Sequence, residues 1–247
     1  MLLQRRHMEV ITNNIANADT TGFKKEYLVS HSFDEVMLRR IRDDRAFGQE
    51  RVASARWPMV GPLNLGTQVD QKYIDFAEGS LDNTERNTDF ALLGDGFFVV
   101  QTAQGERYTR NGAFYIDQMG YLVDGEGNFL LGEKGPIRVG GLNFTVDQLG
   151  GVRVGDEFID RIRVASFADN NTLRKQGGNL FFSTAAPQAA ANPHFIAQGY
   201  LEMSNVDIGR EMVDMLTVFR TYETNQRMIT MIDETVGKAV NEIGRLR

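Results

Sequence analysis

Cysteine is absent from this chain of 247 residues, and only three histidines, His7, His31 and His194, are present. Without cysteine the chain can form no disulfide, and it offers no thiolate as a nucleophile or as a zinc ligand. The three histidines lie far apart and match no metal-binding spacing. The sequence also lacks the G-x-S-x-G segment of a serine hydrolase. We therefore expect no metal, no cofactor and no catalytic site based on these residue types.

An excess of basic residues and a long apolar run are also lacking. Acidic residues outnumber basic residues by 33 to 27, for a formal net charge of −6, whereas a nucleic-acid-binding protein needs a basic face to neutralise phosphates. No apolar run reaches the roughly 18 residues of a membrane span, and the N-terminus shows no cleavable secretory signal. We expect no nucleic-acid partner and no membrane insertion. The hydrophobic content of 42% suits a globular core.

Helix-breaking residues are scarce at both ends of the chain. All five prolines lie between positions 58 and 193, and Gly22 is the only glycine in the first 47 residues. Because proline and glycine mark turns and end helices, this distribution predicts helical termini on either side of a turn-rich middle.

Apolar residues near the N-terminus recur at a helical spacing. Met1, Met8, Ile11, Ile15 and Ala18 share one face of a predicted amphipathic helix. We expect this helix to end near residues 19–22, where a glycine can adopt the positive φ that often ends a helix.

Three asparagines lie at the end of this predicted helix, although asparagine is a poor helix former. Asn13, Asn14 and Asn17 belong to the string NNIANADTTGFKK at residues 13–25. An asparagine on the contact face of a coiled coil fixes the register of neighbouring helices through side-chain hydrogen bonds. We therefore expect these amides to bridge neighbouring chains in an assembly, and Phe23 to anchor the chain where it leaves the helix.

A longer helix is predicted at the C-terminus, over residues 208–243. Apolar residues keep a 3-4 spacing along it, interrupted only by Gln226 and Asp233. At about 1.5 Å per residue the helix would be roughly 54 Å long, and a heptad pattern of this length requires another helix beside it. The predicted contact face consists of Ile208, Met212, Met215, Phe219, Tyr222, Ile229, Val236, Val240 and Ile243.

The middle of the chain, residues 76–203, is typical of β structure. Short aromatic and β-branched runs such as FFVVQT alternate with turns that contain Gly, Asp or Asn, which favours an antiparallel barrel or sandwich. Residues 29–75 predict an extended connector, although residues 32–47 could form a helix. The predicted fold class is α+β, with a central antiparallel β-rich domain and a coiled-coil-like helical domain built from residues 1–28 and 204–247.

Two alternatives to a structural assembly protein remain open. Acidic residues cluster at Asp82, Glu85, Asp89 and Asp95, and a glycosidase needs two carboxylates roughly 5–10 Å apart. An envelope hydrolase that uses Glu85 and Asp89 is the first alternative, and a soluble adaptor with a C-terminal coiled coil is the second.

The DGEGN string at residues 124–128 lacks the alternating ligands of a calcium loop and predicts a hairpin turn.

Three separate blocks of sequence resemble the flagellar rod, hook and hook-associated family of bacteria. The string at residues 13–25 resembles the N-terminal signature of that family, and residues 79–100, GSLDNTERNTDFALLGDGFFVV, resemble its second block. Residues 199–229, which begin GYLEMSNVDIGREM, resemble its C-terminal signature. The chain length and the GEKGPI string at residues 132–137 are most similar to the basal-body rod proteins, with the proximal-rod type slightly favoured over the distal-rod type.

The resemblance implies a structural subunit of the flagellar basal-body rod, with no active site and no cofactor. Such a subunit is exported without a cleaved signal through the flagellar type III apparatus. In the basal body it assembles with copies of itself and with other rod and hook proteins into a shaft that transmits torque. A hook-type or other axial protein is the alternative within the family. Family members carry further residues ahead of the position of Met1, so we expect the complete first helix to be longer.

The resemblance and the helical spacing together predict where subunits meet. The expected assembly interface consists of Met8, Ile11, Asn13, Asn14, Ile15, Asn17, Gly22, Phe23, Met212, Met215, Phe219, Tyr222, Ile229, Val236, Val240 and Ile243.

Overall fold

The computed structural model describes residues 1–32, 36–39, 59–63, 66–183 and 195–243. A helix lies at each end of this part of the chain and antiparallel strands lie between them, so the α+β class is confirmed. The helices are α1 (Leu2–Ala16) and α2 (Ile208–Ile243), and a short 3-10 helix spans Asn170–Thr172.

The strands, in chain order, are β1 (Glu26–Ser32), β2 (Val36–Arg39), β3 (Met59–Leu63), β4 (Thr67–Ile74), β5 (Leu81–Asn83), β6 (Phe90–Leu93), β7 (Phe97–Thr102), β8 (Gly105–Thr109), β9 (Tyr115–Ile116), β10 (Leu122–Val123), β11 (Phe129–Leu130), β12 (Phe144–Val146), β13 (Gly151–Val154), β14 (Glu157–Arg161), β15 (Val164–Ala165), β16 (Leu173–Gly177), β17 (Leu180–Ser183), β18 (Phe195–Gln198) and β19 (Tyr200–Glu202).

Helix α1 ends at Ala16, earlier than the predicted end near residues 19–22. The Asn17 side-chain amide donates to the carbonyl of Asn13 at 2.8 Å, and the backbone N–H of Asn17 donates to the same carbonyl. These bonds close the last helical turn, and irregular turns follow. Gly22 has the expected positive φ of 66°, but it lies beyond these turns and not at the helix end.

The two terminal helices pack against each other within one chain. Val10, Ile11 and Asn14 are the buried residues of α1, and Glu211 is the buried residue of the described part of α2. Helix α1 has 15 residues whereas α2 has 36, so α1 covers only the first part of α2. Beyond that part, residues 226–241 are exposed apart from Gly237.

The β region is centred on strand β7, in which the apolar residues from Phe97 to Val100 are all buried. This strand lies inside an eight-stranded antiparallel sheet with the order β16-β17-β8-β7-β11-β10-β9, and β15 also pairs with β7. Phe98 and Val100 belong to one apolar cluster, while Phe97 and Val99 belong to a second. A strand that is covered on both faces needs an uninterrupted apolar run, which accounts for the sequence FFVV.

The segment predicted as an extended connector contributes paired strands to the fold. Strand β1 pairs with β4 and β2 pairs with β3, both in the antiparallel sense. The possible helix over residues 32–47 is wrong for Val36–Arg39, because these residues form β2. The remainder of that stretch, from residue 40 onward, lies outside the described residues.

Two short ladders bring the beginning and the end of the β region together. Strand β6 pairs with β18, and β5 pairs with β19, which is the last strand before α2. The backbone N–H of Gly22, shortly after α1, donates to the carbonyl of Glu202 at the end of β19, at 2.7 Å. Both helices therefore join the β region at the same place.

Candidate assembly interface and the junction that positions it

A buried carboxylate, Glu202, lies where both helices join the β region, and only 2% of its surface is exposed. Its Oε1 accepts hydrogen bonds from the Lys24 ammonium at 2.6 Å and from the backbone N–H of Gly79 at 3.0 Å. Its Oε2 accepts one from the Arg110 guanidinium at 3.4 Å. One carboxylate thus connects the segment after α1, the segment before β5 and the segment after β8.

Both cations of this cluster are as inaccessible to water as the carboxylate, since Lys24 is 0% and Arg110 is 3% exposed. The Lys24 ammonium also donates to the carbonyl of Ala77 at 2.7 Å, and the Arg110 guanidinium donates to those of Leu92 and Gly94. Burial lowers the pKa of Lys24, and the charge of Glu202 opposes that shift. Two cations share one carboxylate, and backbone carbonyls supply further acceptors, although Nε of Arg110 is buried without a hydrogen-bond partner among the residues that the structure describes.

Asn14 connects α1 both to β1 and to α2. Its Nδ2 donates to the carbonyl of Glu26 at 2.8 Å, and its Oδ1 accepts from the N–H of Glu26 at 3.0 Å. The same Nδ2 donates to Oε2 of Glu211 at 3.1 Å, and Lys25 forms an ion pair with Glu211 at 2.5 Å. The amide of Asn14 is therefore occupied within one chain. A bridging role between chains stays a prediction for Asn13, Asn14 and Asn17.

Asn205 holds the start of the C-terminal segment against the segment that follows α1. Its Oδ1 accepts from the backbone N–H of Lys25 at 2.7 Å. Its Nδ2 donates to the carbonyls of Asp75 at 2.9 Å and Ala77 at 3.1 Å. One side chain therefore satisfies backbone groups from two distant segments, which fixes the position from which α2 begins.

Gly22 and Phe23 lie inside this junction and not on an exposed surface. A Cβ added to Gly22 would lie 2.4 Å from the backbone nitrogen of Asn111, so glycine is required for space as well as for its positive φ. Phe23 is 2% exposed, and the Lys175 ammonium lies 3.7 Å from the centre of its ring. The ring therefore anchors the chain within the molecule, where no neighbouring chain can contact it.

The three sequence blocks meet at this junction, because Lys24, Gly79 and Glu202 come from one block each. Sequence reasoning did not identify the buried ion pair, since charged residues are mostly exposed and Lys24 and Glu202 are 178 positions apart. The signal that could have found them is that Lys24 and Glu202, two residues of opposite charge, each directly follow a large apolar residue, Phe23 and Leu201.

The outer face of α2 carries a set of exposed apolar side chains. They are 47 to 66% exposed, and large exposed apolar areas mark interaction sites in soluble proteins. These ten side chains, which we call the outer face, occur on every side of the helix at 3.6 residues per turn, and they are Met212, Val213, Leu216, Phe219, Met228, Ile229, Met231, Ile232, Val236 and Val240.

Half of this outer face was missing from the predicted interface, including Leu216 and Ile232. The 3-4 spacing follows one stripe, whereas apolar residues are spread over a wider arc of the helix. Other predicted apolar residues of the two helices are less accessible to solvent, and the side chain of Ile243 lies outside the described residues. The predicted apolar residues of the two helices that are buried or half-buried are Met8, Ile11, Ile15, Met215 and Tyr222.

The acidic residues considered for hydrolysis have different surroundings. Asp89 is buried, and its Oδ2 accepts from the hydroxyl of Thr84 at 2.7 Å. Its backbone carbonyl accepts from the N–H of Gly199 at 2.8 Å, so Asp89 holds its loop against the chain between β18 and β19. Glu85 is exposed and has a φ of 57°. Asp124 accepts from the backbone N–H groups of Glu126 and Asn128, as a hairpin turn requires.

The described residues include neither a metal-binding cluster nor a membrane-spanning helix. Within the described ranges, no group of three or more His, Asp or Glu side chains could hold a metal ion. The two helices, as far as the structure describes them, include no stretch long and apolar enough to cross a membrane.

Comparison with known proteins identifies relatives along the whole chain. Residues 1–24 match the family model "Flagella basal body rod protein", residues 91–172 match "Flagellar hook protein FlgE/F/G D1 domain", and residues 197–242 match "Flagellar basal body rod FlgEFG protein C-terminal". These three matches contain the α1 helix, most strands of the central sheet and most of the α2 helix.

Individual relatives agree with these matches. The flagellar hook-basal body complex protein FlhO of Bacillus subtilis is 32% identical over 266 aligned positions, which cover 100% of this chain and 96% of the relative. The flagellar basal-body rod protein FlgG of Bacillus subtilis is 30% identical, covering 95% of this chain and 92% of the relative. The flagellar basal-body rod protein FlgF of Caulobacter vibrioides is 32% identical, covering 98% and 94%. The chain therefore belongs to the flagellar basal-body rod protein family.

Proposed function

We propose that this chain is a structural subunit of the bacterial flagellar basal-body rod. It polymerises through its terminal helices, with copies of itself and with other flagellar axial proteins, into the shaft that transmits torque. It reaches the basal body unfolded, through the flagellar type III export apparatus, and it carries out no enzymatic reaction. The observation that carries this proposal is the outer face of α2, which is apolar and exposed over most of the length of the helix.

Burying the outer face would release a free energy comparable with the cost of assembly. Burying a large apolar side chain completely stabilises it by about 1.5–3 kcal/mol, so a half-exposed one contributes roughly 1 kcal/mol. Ten such side chains supply roughly 10 kcal/mol, which is comparable with the about 4–15 kcal/mol that association costs in lost freedom. A neighbour that covered only part of the face would bind weakly. Several neighbours packed around each α2 helix would bind well, as they do in a polymer.

The buried junction supports the mechanical part of the proposal. A shaft transmits torque only if the helices of each subunit cannot rotate freely against its β region. Glu202, with its partners Lys24 and Arg110, connects the two regions through buried, charge-assisted hydrogen bonds. Asn14 and Asn205 add bonds between α1, β1 and the start of α2. The connection therefore has the stiffness of a protein interior.

Variants of the outer face test the proposal in a strain that lacks the gene. Ile229→Asp combined with Val236→Asp places two charges on the exposed apolar surface, and Arg227→Asp is the matched control on the same half of α2. We expect the double variant to yield no rods in isolated basal bodies and no swimming, while the control restores both. Intact rods in the deletion strain itself, seen by electron microscopy, would show that the chain is not a rod subunit.

The soluble-adaptor alternative gives a different result in the same strains. An adaptor would form small closed oligomers and would not be recovered with basal bodies. Rod subunits should sediment with basal bodies, and the double variant should be lost from that fraction.

A further inference from the structure

A cleft of about 730 Å³ lies between the end of α1, strand β4 and strand β16. Its volume falls in the range of roughly 300–1,000 Å³ that is typical of protein binding sites. Its apolar floor consists of the half-buried Phe76 together with the buried Phe23 and Leu173, while side chains of asparagine and glutamine line much of the remainder. The cleft lies apart from the outer face of α2, and it borders the buried junction, with which it shares Phe23.

The cleft is positively charged. Three cations, Lys72, Arg174 and Lys175, line it together with a single described carboxylate, that of Glu26. Glu26 forms ion pairs with Lys175 at 3.1 Å and with Lys72 at 3.6 Å. The Arg174 guanidinium is exposed and donates to the Gln71 side chain at 3.3 Å, so it has no anionic partner in the described part of the chain.

The strands beside the cleft can accept an extended segment. Strand β4 pairs only with β1, and β16 pairs only with β17 at the end of the eight-stranded sheet, as far as the described residues show. An unpaired strand edge offers backbone N–H and C=O groups to an incoming extended chain. The cleft thus combines cations, amides, an apolar floor and two such edges.

The same chain carries a segment of opposite charge. All three residues of β5 are exposed, and Leu81 within it is 42% exposed. Asp82 and Glu85 are exposed, and their carboxylates make no hydrogen bond or ion pair with any residue that the structure describes. Strand β5 pairs only with β19 among the described strands. We call residues 81–85 the acidic ridge.

We propose that the acidic ridge of one copy docks into the cationic cleft of a second copy. Asp82 and Glu85 then lie against Lys72 and Arg174, and Leu81 contacts the half-buried Phe76 of the apolar floor. The two surfaces are different parts of the same chain, so the contact is heterologous and continues from copy to copy into a helical array instead of closing as a dimer. This contact rests on the proposed self-assembly, to which it adds a charged interface outside the terminal helices.

Charge reversal tests the contact. We would compare three chains in the deletion strain: Asp82→Lys with Glu85→Lys, Lys72→Glu with Arg174→Glu, and all four changes together. Each reversed surface alone places like charges in contact and should abolish rod assembly, whereas the fourfold variant should recover it. The matched control is Asp156→Lys with Glu157→Lys, which makes the same change of charge at an exposed turn and should assemble normally. Urea unfolding of each purified chain checks that it folds.

Cross-linking locates the contact directly, because the natural chain has no cysteine. Chains with Asp82→Cys and chains with Arg174→Cys, mixed in basal bodies and treated with a bismaleimide, should yield a cross-linked dimer. Glu157→Cys with Arg174→Cys should yield none.

These experiments test the docking contact separately from the proposed assembly through α2. If the cleft variant assembles normally, or the fourfold variant stays defective while folded, the docking contact is wrong. In that case the cations only protect the strand edges from aggregation. Loss of rods in the Ile229→Asp, Val236→Asp chain would still support the role of the terminal helices. If the outer-face variant also assembles normally, the proposed assembly through α2 fails as well.

Discussion

Replacing Glu202 with leucine would remove the carboxylate that contacts both Lys24 and Arg110. The three side chains are almost completely buried, so no water can take the place of the lost carboxylate without rearrangement. The cations would be left with backbone carbonyls as acceptors, and the backbone N–H of Gly79 would lose its acceptor at 3.0 Å.

The expected loss of stability is large. Removing one partner of a buried ion pair costs about 3–5 kcal/mol, and leaving a buried N–H without an acceptor costs about 1–3 kcal/mol. The two terms overlap because the groups are in contact, so we expect a decrease of about 4–6 kcal/mol in the free energy of unfolding. Since a folded domain is typically stable by about 5–15 kcal/mol, the variant should be partly unfolded under mild conditions.

Urea unfolding followed by far-ultraviolet circular dichroism measures this loss. Glu202→Gln keeps an oxygen for the Gly79 N–H and removes only the charge, so it should lose less stability than Glu202→Leu. The matched surface control is Glu106→Leu, because Glu106 pairs with the partly exposed Arg163, and exposed pairs contribute at most about 1 kcal/mol. A loss below about 1 kcal/mol for Glu202→Leu would refute the reasoning, because buried cations without their carboxylate cannot cost so little.

Three further predictions concern the same junction. Burial lowers the pKa of Lys24 in the folded chain below its ordinary value of 10.5, so at a pH between the folded and unfolded pKa values the folded chain binds fewer protons. The free energy of unfolding should therefore rise with pH in that range. Urea unfolding at several pH values should show a smaller rise for Lys24→Met. Gly22→Ala should lower the thermal stability far more than Gly127→Ala, because both glycines have a positive φ but only Gly22 would contact neighbouring backbone; equal effects would refute the steric argument. Asn14→Leu should cost about 2–4 kcal/mol, because both backbone groups of Glu26 lose their partner, and hydrogen exchange at the Glu26 N–H should accelerate.

The spacing of apolar residues predicted the two helices, because side chains three and four positions apart lie on the same side of a helix. Residues 208–243 were predicted as helical and form α2 as Ile208–Ile243. The same reasoning overestimated the end of α1, since Asn17 bonds back to Asn13 and ends the helix earlier. It also placed Met215, Tyr222 and Ile229 on one contact face, whereas Met215 and Tyr222 are half-buried and Ile229 is exposed.

The asparagines show why the junction was not predictable from the sequence. An amide within a helical pattern is equally compatible with a contact between chains and with a contact inside one chain. Asn14 bonds to the backbone of β1 only because the turns after α1 bring Glu26 back beside the helix. No local sequence pattern specifies that the chain turns back beside the helix at this point.

By itself, the sequence determined the kinds of element, their order and the family, because these follow from short-range patterns of apolar, turn-forming and signature residues. Only the tertiary structure decided that Lys24, Arg110 and Glu202 form one buried cluster, that Gly22 and Phe23 lie inside it, and that part of α2 stays uncovered. Burial of a charge depends on partners far away in the sequence, and the partner of Lys24 is 178 positions distant. The interaction that stabilises the buried ammonium of Lys24 therefore forms only once the chain has folded.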